Sequence, residues 1–136
     1  MTFSTSRFGS ITCRENQVIR FPEGIPGHSG CTQFVVVDDA LTAPVQWLVS
    51  AEDPDVALAV LDPAVVLDGL VVAPSTTGLT TFVVASEGAG EIAWWLDLRH
   101  PIIIRNDART GQQVTLDDGA LPVRFPVTLQ PAGEGE

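Results

Sequence analysis

Lysine is absent from this 136-residue chain, histidine and cysteine occur twice each, and no apolar run reaches the roughly 18 residues of a membrane span without a charge or a proline. All seven cations are arginines, set against 17 carboxylates, and the formal net charge is -10. Direct nucleic-acid binding is therefore disfavoured, because phosphate contacts need local positive charge. An acidic surface steers instead toward basic partners, or serves only solubility. Cys13 and Cys31 are too few for a disulfide scaffold and too far apart for a zinc or redox motif, so two buried, reduced thiols are expected. His28 and His100 stand 72 positions apart (100 − 28), which leaves no clustered metal ligands. No metal and no cofactor are expected. The N-terminal MTFSTSRFGS lacks a charged region followed by an apolar one, so the expected location is the cytoplasm, with no membrane contact.

Catalytic signatures are missing as well. The nearest approach to a nucleophile elbow, Gly27-His28-Ser29-Gly30, has the wrong spacing and reads as a glycine-rich turn. The segment from Glu87 to Glu91 lacks the strand, glycine spacing and helix of a dinucleotide site and reads as a hairpin loop. Acid pairs at Asp38-Asp39, at Glu52-Asp53 with Asp55, and at Asp117-Asp118 all fall at strand ends, where Asp is ordinary turn chemistry.

What the chain does contain is a series of short runs rich in Val, Ile, Thr and aromatics between Pro, Gly and Asp, the pattern of an all-β, mostly antiparallel sandwich or barrel with little helix. Strands are predicted at Phe8 to Arg14, Gln17 to Phe21, Gln33 to Asp38, Val45 to Ser50, Ala57 to Asp62, Thr81 to Ala85, Ile92 to Leu98, Ile102 to Arg105, Gln112 to Leu116 and Val123 to Thr128. Between the second and third lies PEGIPGHSGCT, whose prolines and glycines demand a shaped loop with positive-φ positions. Residues 64–80 read as a short strand or a single helical turn followed by a loop. Residues 1–129 form one domain in this reading, and the polar, acidic QPAGEGE at 130–136 is a disordered tail.

Two features are harder to explain as core alone. Trp94 and Trp95 are adjacent, so on a strand they point to opposite faces. The run Ile102 to Ile104 has no alternation, which fits either a strand buried on both faces or an apolar patch offered to a partner. A strand pinned by Asp-Pro geometry from Asp53 to Pro63, together with the charged approach to that isoleucine run, suggests a contact patch bordered by Asp53, Asp55, Leu98, Ile103 and Asn106, with Gln113 nearby. The competing class is a small β-barrel enzyme or ligand carrier using the acid-rich strand ends at Asp53, Asp55 and Asp62.

Phe8-Gly9, FPEGIPG from Phe21 to Gly27, Trp47-Leu48, DPDVALAVLDP from Asp53 to Pro63, Leu98, Pro101 to Ile104, and Gly111 to Val114 occur in an order that resembles the flagellar assembly factor family, FliW. The sequence departs from the family pattern at His28, Leu58, Asp97 and His100, and residues 64–80 look shorter than usual. The resemblance implies a small closed or semi-closed β-barrel, cytoplasmic, monomeric when free and not an enzyme. It further implies that the chain binds flagellin and the RNA-binding translational repressor CsrA, relieving repression of flagellin synthesis until new flagellin takes the factor back.

Overall fold

The runs QWLVS and ALAVL show no polar alternation because both of their faces are covered. In the computed structural model, which describes residues 1–28, 30–63, 78–116 and 122–127, these runs are strands β5 (Gln46–Ser50) and β6 (Ala57–Leu61). Around them lie β1 (Thr2–Thr5), β2 (Gly9–Thr12), a 3-10 turn at Glu15–Gln17, β3 (Ile19–Arg20), β4 (Gln33–Asp38), β7 (Leu79–Glu87), β8 (Trp94–Arg105), β9 (Thr110–Gln113) and β10 (Phe125–Val127).

Seven strands close on themselves in the order β3-β4-β5-β6-β7-β8-β9 and back to β3. Every pairing in the ring is antiparallel except the seam, where Arg20 of β3 meets Thr110 of β9 in a parallel pair. Closure removes the open edges that would otherwise invite another strand. The seam is held by Arg20 N–H donating to the Arg109 carbonyl at 2.9 Å, and by Arg109 Nη2 donating to the Gln17 carbonyl at 3.0 Å.

Two apolar cores follow from strand alternation. The barrel interior is filled by Ile19, Phe21, Phe34, Leu48, Val60, Phe82, Ile102 and Ile104. On the outer face of β5 to β8, Trp47, Val49, Ala59, Leu61, Val83, Leu96 and Leu98 form a second core, against which Phe3, Phe8 and Ile11 of the β1–β2 hairpin and Phe125 and Val127 of β10 pack. The hairpin is fastened at its turn: Arg7 lies 3.8 Å over the Trp47 ring, Ser6 N–H donates to the Pro54 carbonyl at 2.8 Å, and the Ser6 hydroxyl bonds the Asp55 carboxylate.

The loop after β3 is a plug. Phe21 and Ile25 are buried in the barrel, Phe21 packing edge-on to Phe34 at 5.2 Å, while Gly24 (φ +70) between them and Gly27 (φ +89) beyond Ile25 supply the left-handed positions that turn the chain.

The fold agrees with the all-β, closed-barrel expectation and corrects several details. A strand at Thr2–Thr5 went unpredicted, and Phe8 lies in the turn rather than in β2. The strands expected at Ile92 to Leu98 and Ile102 to Arg105 are one strand of 12 residues, β8, with an irregularity between its halves. Across it, Phe82 pairs with Ile102 but Val84 pairs with Asp97, so extra residues bulge from β8. Asp97 organises that bulge: Oδ1 accepts from Arg99 N–H at 3.0 Å and His100 N–H at 3.2 Å, and His100 Nδ1 stands 2.9 Å from Oδ2. Most of residues 64–80, the turn at Asp117 to Gly119 and the tail at 130–136 lie outside the described residues.

Candidate functional site

Beyond the bulge, β8 resumes strict alternation. Ile102 and Ile104 are buried in the barrel, whereas Ile103 faces outward and is half-buried. The unbroken isoleucine run is therefore core at two positions and surface at one. Cross-strand pairing sets Ile103 beside Thr81 of β7 and Gln112 of β9, and sets Arg105 beside Leu79 and Thr110. Thr110 also pairs with Arg20 across the seam, so Leu79, Arg105, Thr110 and Arg20 form one row around the outside of the barrel.

A cleft of about 690 Å³ opens on this face, lined by Pro22, Leu79, Ile103, Arg105, Asp107 and Gln112 among others. The Asp107 carboxylate is turned to its own loop, accepting from Ala108 N–H at 2.7 Å. Asn106 ties the rim to β7, its N–H donating to the Gly78 carbonyl at 2.8 Å and its Oδ1 accepting from Thr80 Oγ1 at 3.0 Å. Gln113 lies on the other face of β9, where its Nε2 donates to the His100 carbonyl at 2.8 Å and braces the bulge.

The residues expected to border one patch thus divide. Ile103 lines the cleft, Asn106 lies beside it, bonded to Gly78 of the lining and to Thr80, and Gln113 lies on the opposite face of β9. Leu98 is 2% exposed and sits in the second core, outside the cleft lining. Asp53 and Asp55 are exposed on the β5–β6 turn, outside the cleft lining. There the buried Ser50 Oγ accepts from the N–H groups of Glu52 and Asp53, Asp53 Oδ1 accepts from Asp55 N–H at 3.0 Å, and Asp55 fastens the β1–β2 hairpin. These two acids have turn and tethering work, and they do not converge on a pocket as an acid-base pair would. Among the described residues no group of three His, Cys, Asp or Glu side chains could hold a metal ion.

Sequence reasoning missed Leu79, Arg105, Gln112 and Arg20. The available signal was scarcity: in a chain with only seven cations, Arg20 and Arg105 lie within predicted strands, at Gln17 to Phe21 and Ile102 to Arg105. That they share a row depends on the seam, which the sequence does not announce. The tryptophans behave as alternation requires, Trp94 packing 6.4 Å from Trp47 while Trp95 lies under Arg124 at 4.3 Å.

Comparison with known proteins bears on the whole chain. The family model described as "FliW protein" matches residues 2–127. A flagellar assembly factor FliW of Thermosipho africanus is 31% identical over 131 residues, covering 86% of this chain and 88% of that protein. The protein of the same name from Thermotoga neapolitana is 32% identical over 130 residues, covering 87% of each. The crystal structure of a flagellar assembly factor FliW superposes with a TM-score of 0.81 over 96% of this chain and 99% of that one, at 21% identity, a likeness of fold. No helix among the described residues is long and apolar enough to cross a membrane.

Proposed function

Because the chain belongs to the FliW family of flagellar assembly factors, a regulatory family and not one of enzymes, we propose that it works by partner exchange in the cytoplasm, holding a CsrA-type translational repressor when flagellin is scarce and flagellin when it is abundant. The observation that carries the reading is the outward face at Ile103: a half-buried apolar centre with a polar rim, on a barrel with no open sheet edge in its ring. Such a face suits a protein partner better than a small reactant. Ile103 is the centre of the site in this reading, Asn106 and Gln113 border it, and the exposed carboxylates of Asp53 and Asp55 add to the field that receives a basic repressor.

Charge supplies the antagonism. A body of net charge -10 docked on an RNA-binding protein repels phosphate from its surroundings, so repression is relieved even where the RNA surface itself is not covered. The free chain is a monomer in this reading, with residues 1–129 as its folded domain and 130–136 as a tail. Affinity capture with the tagged chain from its own cells tests the proposal. Flagellin and the repressor should be recovered in inverse proportion as flagellin accumulates; recovery of neither at any growth stage would remove it.

A further inference from the structure

Three of the seven arginines converge at the β3–β9 seam, in a protein whose carboxylates outnumber its cations by ten (17 − 7). Arg109 is occupied with closing the barrel. Arg20 and Arg105 are not: both are exposed, and neither guanidinium has a hydrogen-bond or ion-pair partner among the described residues. They flank Thr110 in one cross-strand row, and Arg105 lines the cleft of about 690 Å³ together with Leu79, Ile103, Pro22 and Asp107, whose carboxylate accepts from Ala108 N–H.

From this placement we infer that the cleft takes an extended polypeptide segment carrying carboxylate side chains next to apolar ones. Ile103 and Leu79 receive the apolar side chain, and Arg105 and Arg20 receive the carboxylates. Arginine suits this role because its planar fork can bond a carboxylate through two parallel N–H groups. The apolar part of the lining, Leu79, Ile103 and Pro22, distinguishes the site from an anion site. The surrounding charge argues against a polynucleotide, which must carry its phosphates beyond the two arginines and over an acidic surface. The inference rests on reading this face as a protein-docking face, and it assigns to that face a segment of charge opposite to a basic repressor's surface.

The test uses the full chain, 15N-labelled, and a capped probe peptide of sequence Ser-Leu-Glu-Val-Asp-Gly, beside a neutral twin with Gln and Asn in place of Glu and Asp. At millimolar concentration the acidic peptide should shift the amide signals of Leu79, Ile103, Thr110 and Gln112 saturably. The twin should bind at least about tenfold more weakly, and so should the acidic peptide to the folded double variant Arg20→Glu, Arg105→Glu. Equal binding of the twin, shifts that map elsewhere, no shifts at all, or the same shifts produced by a short oligouridine would each overturn the inference. The partner reading fails separately: if the chain captures no flagellin yet selects the acidic peptide, the cleft chemistry stands and the flagellin assignment falls.

Discussion

Gly111 has no room for a side chain. A Cβ built there would stand 2.7 Å from Cζ of Phe21, the ring that plugs the barrel, so Gly111→Ala should force the plug outward at a cost of about 1–3 kcal/mol, the usual penalty of overpacking. Urea unfolding measures it, and an unchanged midpoint would mean that the plug is looser than its burial implies. The isoleucine run offers a sharper contrast between neighbours. Ile102→Ala empties the barrel interior and should cost about 2–5 kcal/mol, whereas Ile103→Ala should stay within about 1 kcal/mol of wild type. Similar losses at both positions would contradict the alternation on which the site rests. Asp97 and His100 act as a pair that organises the β8 bulge. Asp97→Ala leaves the Arg99 and His100 amides without their acceptor and should cost about 1–3 kcal/mol. Asp97→Asn retains an acceptor oxygen and should cost less; the reverse ranking in thermal melts would count against this role.

At the scale of elements, the β1–β2 hairpin is a cover rather than a barrel strand. Phe3, Phe8 and Ile11 pack on the second core, and the hairpin turn is clamped by Arg7 on Trp47 and by Asp55 on Ser6. Arg7→Ala should cost about 0.5–1 kcal/mol, the range of an exposed cation–π contact, and should speed amide exchange in β1 and β2 more than in β4. Uniform acceleration across all strands would show that the hairpin unfolds only with the barrel. The sequence revealed elements of this kind unevenly. Gln33–Asp38 was readable to the residue because local β-propensity and flanking turn signals agree there. Thr2–Thr5 was not, since TFST alternates too weakly to stand out and its pairing with β2 comes from the shared apolar cover. The bulge in β8 reads in the sequence as a strand break because Pro101 is a turn signal, yet here it lies within a strand. The site was half readable for the same reason. Ile103, Asn106 and Gln113 lie close along the chain, but Arg20 joins them only through the parallel seam with Thr110.

At the scale of the whole molecule, charge and closure set behaviour together. A closed barrel of net charge -10 should bind no RNA by itself at physiological salt, and a gel shift at sub-micromolar affinity would contradict that. Association with a basic repressor should slow as salt rises, more than dissociation quickens, whereas association rates constant across a tenfold salt change would remove the electrostatic part of the mechanism. The central claim is partner exchange in which flagellin is taken at the face of Ile103. Its most direct test is a competition titration, in which purified flagellin is added to the preformed complex of this chain with the repressor and free repressor is followed by its RNA binding. The account predicts that flagellin releases active repressor in proportion to the complex, and that Ile103→Asp, folded as judged by its thermal melt, loses flagellin binding by at least about tenfold. Flagellin that leaves the repressor complex intact, or that binds the folded Ile103→Asp variant as tightly as wild type, would contradict it.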